Sequence, residues 1–239
     1  MDSVKINSGK TLMVAHRGLS GIELENTNAS FIAAGNRSYY GIETDVHKTS
    51  DGRFVVFHDD NTGRLCDTDV IVEETEFSTL RALHLNDKYG DTTRADTLIP
   101  TLKEYIATCK RYEKIAVLEL KNEFTKEEID AICNEIISLD YLENVIFISF
   151  CFANMTRLRE LHPGHSAQFL TSKFQPDLPQ ILQAHGLDID ILFTELTEER
   201  IKDFHDHGVK VNCWTCDDKA FAEDLASWGI DYITSNILE

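Results

Sequence analysis

Short apolar runs alternate with longer amphipathic segments along most of the chain. The runs begin at about residues 11, 40, 115, 144, 166, 190, 209 and 230, and their lengths are typical of buried strands. Helical periodicity predicts helices over 101–111, 125–139, 153–161, 177–185, 197–207 and 217–227. Alternating strands and helices favour parallel strands joined by right-handed crossovers. Eight such strands close a barrel, so the pattern predicts one (β/α)₈ TIM-barrel domain over residues 1–239.

The second strand is an exception, because a hairpin is predicted after it instead of a helix. Residues 40–46 and 53–57 both have strand character, and the turn signal Asp51-Gly52 lies between them. We therefore predict that 53–57 is an antiparallel partner of the second strand and not one of the eight barrel strands.

Residues 60–99 differ from the rest of the chain, since they are rich in Thr, Asp and Glu and poor in regular patterns. A brief strand over 70–72 and a short helix over 77–83 are predicted there. The segment also carries apolar side chains that can pack, namely Leu65, Val70, Ile71, Phe77, Leu80 and Leu83. We therefore predict a small cap inserted over the barrel mouth, and not a linker.

Composition narrows the class of protein. The 239 residues are 42% hydrophobic, which is ample for one large α/β domain. Acidic residues outnumber basic ones by 41 to 23, giving a formal net charge of −18, so nucleic acid is not expected as a partner. No apolar run approaches the roughly 20 residues that span a bilayer, and the N-terminus lacks a signal-peptide core. We therefore expect a cytoplasmic protein without stable membrane association.

Six cysteines are scattered through mostly apolar contexts, so we expect them to be reduced and buried. Cys213 and Cys216 form a CxxC pair on a predicted strand. Residues three apart on a strand face opposite ways, which disfavours a shared metal ion or a disulfide.

Two acidic residues lie two positions apart on the second predicted strand. Glu43 and Asp45 therefore point to the same face. Folding the hairpin about its turn places Asp45 opposite about residue 57 or 58, close to His58. Carboxylates suit a hard divalent cation, and an imidazole can move a proton. The hairpin sequence thus predicts a site at which two carboxylates could bind a cation and His58 could transfer a proton.

Further candidates lie at the ends of other strands, where active sites of TIM barrels are found. His16 and Arg17 follow the first strand, and Trp214 ends the strand that begins at about residue 209. Glu119 and Lys121 share one face at the end of another apolar strand, where each needs a partner or a metal ion. A buried Glu–Lys ion pair is the alternative for these two residues. The convergence of all these candidates on one rim favours an active site.

Several short motifs follow one another in a specific order and spacing: Ala15-His16-Arg17-Gly18, Glu25-Asn26-Thr27, Ile42-Glu43-Thr44-Asp45-Val46, Asp51-Gly52, Phe57-His58-Asp59, Arg64, Pro100-Thr101-Leu102, Leu118-Glu119-Leu120-Lys121 and Cys213-Trp214-Thr215. Together they resemble the glycerophosphodiester phosphodiesterases, from residue 12 to about residue 236. The chain departs from that family at Leu24, where Pro is frequent. It also departs at Thr234-Ser235-Asn236, where the family often has Thr-Asp-x-Pro, so the last rim loop is less defined.

The resemblance implies hydrolysis of a glycerophosphodiester to sn-glycerol 3-phosphate and an alcohol. It also implies that the glycerol 2-hydroxyl attacks phosphorus to give a cyclic phosphate, which water then opens. Glu43, Asp45 and Glu119 are expected to hold Mg²⁺ or Ca²⁺.

The remaining candidates would bind substrate or transfer protons. Arg17 and Lys121 are expected to bind phosphate oxygens, Arg by a fork and Lys as a point charge. His16 and His58 are expected to be acid and base, in either order. Trp214 would pack against the glycerol, with a role as a core aromatic as the alternative.

Two other functions stay open from the sequence. A phospholipase D-like or phosphoinositide lyase-type phosphodiesterase would use a similar barrel, but it would act at membranes, and no basic amphipathic helix is found here. A non-catalytic phosphodiester-binding protein on the same barrel is the other alternative. The residues do not indicate which alcohol leaves, which cation is used or how many subunits assemble.

Overall fold

The computed structural model of the protein describes residues 2–87 and 89–239, so Met1 and Lys88, the latter inside the predicted cap, lie outside the described residues. The strands are β1 Leu12–Ala15, β2 Gly41–Lys48, β3 Phe54–Val56, β4 Ile115–Leu120, β5 Val145–Ser149, β6 Ala167–Thr171, β7 Asp188–Leu192, β8 Val211–Trp214 and β9 Tyr232–Ser235. The α-helices are α1 Asn28–Gly35, α2 Phe77–Arg81, α3 Leu102–Arg111, α4 Lys126–Ile137, α5 Phe152–Leu161, α6 Leu178–His185, α7 Glu198–Asp206 and α8 Lys219–Ser227.

All strands except β3 run parallel and form one closed barrel. β1 pairs with β2 through Val14 and Gly41, and it also pairs with β9 through Leu12 and Tyr232. The other parallel strands connect β2 to β9 in chain order, from β4 to β8. The (β/α)₈ TIM barrel predicted from the alternation of strands and helices is therefore confirmed.

Threonines fix the starts of several barrel helices. Thr27, Thr101 and Thr125 each accept a hydrogen bond from a backbone N–H in the first turn, and the residue three positions on completes a capping box. The cap of α1 was predicted at Asn26 or Thr27, and Thr27 is the residue that provides it. The longest of the described helices, α4, has 12 residues, and none is long and apolar enough to cross a bilayer.

Alternation along the parallel strands separates two apolar clusters. Residues that face inward, including Val14, Val117 and Leu170, form a small cluster inside the barrel. Residues that face outward, such as Phe147, pack in the main core between barrel and helices. Glu43 shares the inward face of its strand, so acidic side chains enter the barrel near the C-terminal ends of the strands.

The hairpin after β2 forms as predicted. β3 pairs antiparallel with the end of β2, with Val56 opposite Val46. Phe57 continues this register and donates its N–H to the carbonyl of Asp45 at 3.1 Å. The hairpin therefore places His58 beside the acidic end of β2.

Residues 60–99 pack through a cluster of their own against the hairpin. The cluster includes Phe57, Leu80 and Ile99, and the predicted contributors Leu65, Val70, Phe77 and Leu83 pack against it. Ile71 is instead 48% exposed, so its predicted packing is wrong.

The strand predicted over 70–72 is also wrong. Ile71 forms only an isolated bridge with Asn61, and the chain then turns into a 3₁₀ helix, Val72–Glu74, before α2. A 3₁₀ turn needs only three residues and leaves no room for an extended run.

Strand β7 begins two residues earlier than the predicted strand over 190–194. Asp188 pairs with Gln168, and a 3₁₀ turn over Phe193–Glu195 replaces the predicted end. Asp188 also accepts a hydrogen bond from the N–H of Lys210 at 2.9 Å, which ties the start of β7 to β8. As a result, Asp190 lies in the middle of β7 instead of at its start.

Candidate active site

One cavity opens at the C-terminal ends of the parallel strands. It holds about 350 Å³ of space, part of it open to solvent. Its lining residues are His16, Arg17, Glu43, His58, Glu119, Ile148, Phe150, Leu170, Asp190, Trp214 and Thr234. Six of the eight site residues predicted from the sequence are in this wall. The other two, Asp45 and Lys121, form ion pairs with wall residues.

Three buried carboxylates form one side of the cavity. Glu43 and Asp45 lie on β2 and Glu119 lies on β4, where Asp45 and Glu119 are partners across the two strands. One oxygen from each carboxylate lies within 4.8 Å of the others. The structure therefore brings together the three residues that were expected to hold a metal ion.

The pKa values of these three carboxyl groups, called the triad below, are shifted in different directions. Burial, followed by the charge of Asp45, raises the pKa of Glu43 well above its usual range and that of Glu119 to about 7. Burial acts in the same direction at Asp45, but Lys121 and Arg17 outweigh it and lower the pKa of Asp45 to about 2. Clustered carboxylates with raised proton affinity fit a hard divalent cation, which binds their oxygens in place of protons.

Two basic side chains stand beside the triad. Lys121 Nζ lies 3.0 Å from Glu119 Oε1 and 3.5 Å from Asp45 Oδ1, so the ion pair considered from the sequence is present. Arg17 Nε lies 3.6 Å from Asp45 Oδ2 and, although buried, makes no hydrogen bond. A buried donor without a partner costs free energy, so the guanidinium is ready to accept an anionic ligand.

The loop after β1 adopts an uncommon backbone conformation that directs Arg17 to this centre. The φ angle of Arg17 is 52°, in the left-handed region that residues with a Cβ rarely enter. Its backbone N–H donates to Glu43 Oε2 at 2.7 Å, and its Nη1 donates to Glu25 Oε1 at 2.8 Å. Gly18 follows with a φ of 74°, and a Cβ there would collide with Ser30, so this position requires glycine.

His16 is oriented by an amide. Its Nδ1 lies 2.7 Å from Asn236 Oδ1, and Asn236 Nδ2 in turn donates to Asp217 Oδ2 at 2.6 Å. Since an amide oxygen only accepts, the proton of neutral His16 is on Nδ1 and Nε2 keeps its lone pair. Burial, followed by the charge of Arg17, lowers the pKa of His16 to about 4. Asn236 was not predicted as a site residue, although the sequence marked its loop as unusual.

His58 is oriented by a carboxylate. Its Nδ1 lies 2.6 Å from Asp59 Oδ1, and Arg64 holds the other oxygen of Asp59 through its Nε at 2.5 Å. Arg64 also donates to both oxygens of Glu25, at 2.6 and 3.0 Å. Burial lowers the pKa of His58, while Asp45 and Asp59 act against this shift. Arg64 and Asp59 thereby join residues 60–99 to the histidine at the end of the hairpin.

The other side of the cavity is mostly apolar. Ile148 and Leu170 line it, and the rings of Phe150 and Trp214 meet edge to face with centroids 5.4 Å apart. The structure therefore places Trp214 in the cavity wall. Its indole Nε1 is buried and has no hydrogen-bond partner.

Asp190 is a cavity residue that the sequence analysis missed. It lies on β7 inside the barrel, with 1% of its surface exposed, and its Oδ1 has no hydrogen-bond partner. In the sequence, only the alternation of acidic and apolar residues in Asp188-Ile189-Asp190-Ile191 could have indicated that Asp190 lies inside a strand. That signal was lost because the strand was predicted to begin at residue 190.

Two sequence features lie outside the cavity. His47 lies two positions after Asp45 on β2 but is not among the residues that line the cavity, and its Nδ1 lies 3.0 Å from Glu73 Oε1. Cys213 and Cys216 are free and buried. All six cysteines are free, and Cys151 is the one that is only half-buried.

Comparison with known proteins gives a consistent match over almost the whole chain. Residues 16–238 match the model of the Glycerophosphoryl diester phosphodiesterase family. The chain is 26% identical over 233 residues to the glycerophosphodiester phosphodiesterase of Caldanaerobacter subterraneus subsp. tengcongensis. The alignment covers 95% of this chain and 94% of the relative.

Solved structures agree with this match. A phosphodiesterase of Oleispira antarctica, determined in complex with the product sn-glycerol-3-phosphate, superposes with a TM-score of 0.87 at 27% identity. That match covers 98% of this chain and 96% of the other. The glycerophosphodiester phosphodiesterase of Thermotoga maritima superposes with a TM-score of 0.76 at 25% identity, over 95% of this chain and 94% of the other.

Proposed function

The chain belongs to the glycerophosphoryl diester phosphodiesterase family, and from this premise we propose that it hydrolyses glycerophosphodiesters to sn-glycerol 3-phosphate and an alcohol. The observation that carries the proposal is the meeting of three carboxylates, two histidines and two basic side chains around one cavity. The product named for the Oleispira antarctica structure agrees with this substrate class.

Glu43, Asp45 and Glu119 would hold the divalent cation, either Mg²⁺ or Ca²⁺. Their oxygens already lie within 4.8 Å of one another and are buried from solvent. When bound, the cation would supply positive charge that offsets the charge of the phosphodiester and polarises its oxygens.

Arg17 and Lys121 would bind phosphate oxygens. Arg17 has a buried Nε without a hydrogen-bond partner, and Lys121 contributes a point charge on the opposite side of Asp45. The two contacts would hold phosphorus near the attacking hydroxyl, and such positioning is a large part of catalysis of phosphoryl transfer.

The two histidines would divide the proton transfers in the first step. His16, with a pKa of about 4 and a neutral amide partner, would take the proton of the glycerol 2-hydroxyl. The hydroxyl oxygen would form a bond to phosphorus, and the bond from phosphorus to the leaving alcohol would break. His58, whose carboxylate partner Asp59 stabilises the imidazolium, would give its proton to the leaving oxygen.

The second step would reverse these roles and restore the enzyme. His58 would take a proton from water as the water oxygen attacks phosphorus of the cyclic phosphate. The ring bond from phosphorus to the 2-oxygen would break, and His16 would return its proton to that oxygen. The sum of both steps adds one water to the diester and leaves both histidines as they began.

Residues 60–99 would act as a cap within a single domain that spans residues 1–239. Arg64 supports this role, because it ties the insertion to Asp59 beside His58 and to Glu25 beside Arg17. The choice of leaving alcohol is therefore expected to depend on this segment.

A panel of substrates tests the proposal. Glycerophosphodiesters with choline, ethanolamine, inositol or glycerol as the alcohol are incubated with Mg²⁺ or Ca²⁺, and sn-glycerol 3-phosphate is measured enzymatically. Release from at least one substrate is expected, without build-up of cyclic phosphate. Accumulation of the cyclic phosphate would indicate a lyase instead, and binding without turnover would indicate a non-catalytic protein.

A further inference from the structure

Asp190 differs from the other acidic residues of the cavity because the protein does not satisfy it. Glu43 accepts the N–H of Arg17 at 2.7 Å, and Asp45 accepts from Asn26 at 2.7 Å. Glu119 Oε1 also lacks a hydrogen bond, but it lies 3.0 Å from Lys121 Nζ in an ion pair. Asp190 has a buried Oδ1 with no hydrogen-bond partner, and no ion pair with it occurs within the part of the chain that the structure describes.

A buried carboxyl oxygen without a hydrogen-bond partner lowers the stability of a folded domain. The neighbour of Asp190 on β6, Leu170, is apolar, and the neighbour on β8, Asn212, is buried and donates to Gln168 instead of to Asp190. The described contacts thus give Asp190 Oδ1 no structural partner. A polar group of the substrate that enters the cavity could form the hydrogen bond that the Asp190 carboxyl lacks.

Trp214 supplies the complementary group. Its indole Nε1 is also buried and without a partner, and it lines the same cavity from β8, the next strand. Asp190 is paired with Asn212 across these strands, so Trp214 lies two positions further on the same inward face. An acceptor on β7 and a donor on β8 match a hydroxyl group, which donates one hydrogen bond and accepts others.

The position of the other charges decides which part of a substrate reaches Asp190. A phosphate would be held by Arg17 and Lys121, which lie beside Glu119 and Asp45 and form no ion pair with Asp190. The carbon chain next to the phosphate would then face Ile148 and Trp214, with its hydroxyl groups toward Asp190.

We propose that Asp190 is a specificity-determining residue that binds a hydroxyl group of the substrate's glycerol moiety, together with the indole N–H of Trp214. This inference rests on the proposed function and adds a residue to it. Burial, followed by the charge of Glu119, raises the pKa of Asp190 well above its usual value, so its carboxyl can donate as well as accept.

The test compares two ligands that differ only in their hydroxyl groups. Affinities for sn-glycerol 3-phosphate and n-propyl phosphate are measured by calorimetry in Mg²⁺ buffer for the wild type, Asp190→Leu and Asp190→Asn. Asp188→Asn serves as the matched control, because Asp188 lies on the same strand but is not among the residues that line the cavity. A site built for a hydroxyl rejects the analogue that lacks it, so selectivity should be measurable in the wild type.

Asp190→Leu is expected to weaken binding of sn-glycerol 3-phosphate about tenfold or more while leaving n-propyl phosphate within about twofold. Asp190→Asn should retain most of the selectivity, since its amide can still donate and accept, and Asp188→Asn should retain all of it. Equal losses for both ligands, or no loss, would overturn the inference. Turnover of the glycerophosphodiester panel is also measured for Asp190→Leu, and a loss confined to substrates with ammonium head groups would overturn the inference, because Asp190 would then bind the leaving alcohol.

Turnover of the glycerophosphodiester panel by the same wild-type preparation separates this inference from the proposed function. If the panel is hydrolysed and the affinity ratio of Asp190→Leu is unchanged, only the role of Asp190 is wrong. If no glycerophosphodiester is hydrolysed and the wild type does not prefer sn-glycerol 3-phosphate, both proposals are wrong.

Discussion

His16 Nδ1 lies 2.7 Å from Asn236 Oδ1, so a neutral amide and not a carboxylate orients this imidazole. His58 has the opposite arrangement, with Asp59 Oδ1 2.6 Å from its Nδ1. An amide oxygen fixes the tautomer and stabilises the imidazolium less than a carboxylate does. On this difference rests our proposal that His16 abstracts the first proton and His58 donates the first proton.

Asn236→Asp tests this assignment. The new carboxylate would stabilise protonated His16 and raise its pKa from about 4. Because only neutral His16 can act as a base, the acidic limb of kcat/KM should move to higher pH. Asn236→Ala should instead lower kcat/KM about tenfold and move that limb to lower pH, since the amide that orients His16 and raises its pKa is lost. An unchanged pH profile in Asn236→Asp would contradict a base role for His16.

Removal of either imidazole should nearly abolish turnover. His16→Ala and His58→Ala are each expected to lower kcat by about 10² or more, the usual size of a general acid–base contribution. His207→Ala, at the end of surface helix α7, is the control and should leave the rate unchanged. Near-wild-type rates in both catalytic variants would contradict the proposed proton transfers.

Stabilisation by a divalent cation should grow with pH. The pKa of Glu119 is raised to about 7 in the folded protein, so this group's contribution to stability is present below its unfolded value and is lost as pH rises through about 7. A cation replaces the proton, and the shift of the melting temperature on adding Mg²⁺ should therefore be larger at pH 8 than at pH 5.5. In Glu119→Gln the cation-dependent shift should be much reduced. A shift that is independent of pH, or that persists in Glu119→Gln, would contradict the metal assignment.

Asp190→Leu should make the protein more stable. Replacing an unsatisfied buried carboxyl with an apolar side chain of similar size is expected to raise the free energy of unfolding by about 1–3 kcal/mol. Urea denaturation of the wild type and the variant measures this difference. A less stable variant would mean that Asp190 has a structural partner, and its proposed role in binding would lose its basis.

Local patterns in the sequence were sufficient to predict that Glu43, Asp45, Glu119 and His58 lie close together. Alternation put Glu43 and Asp45 on one face, and the rule that TIM-barrel sites lie at the C-terminal ends of strands added Glu119. The hairpin turn at Gly52 then placed His58 next to Asp45, as its register in the structure requires.

Other features of the site depend on contacts that no local pattern reveals. Asn236 meets His16 across 220 positions of sequence, and only closure of the barrel by β1 and β9 brings the two together. The positive φ of Arg17 is likewise invisible in a local pattern, because arginine itself disfavours that conformation. In the structure it occurs together with the hydrogen bond from the Arg17 N–H to Glu43. Asp190 was missed because a shift of two residues in a strand boundary changed its place from the interior of β7 to its start.

Phosphorus NMR of one reaction tests the central claim most directly, because it resolves diester, cyclic phosphate and monoester in a single sample. The protein is incubated with sn-glycero-3-phosphocholine and Mg²⁺ or Ca²⁺, with parallel samples that contain EDTA or the His16→Ala variant. The account predicts that the diester signal gives way to the monoester sn-glycerol 3-phosphate with at least one cation, and that EDTA or His16→Ala stops this change. Monoester formation at the same rate after exhaustive chelation, or in His16→Ala, would contradict the account.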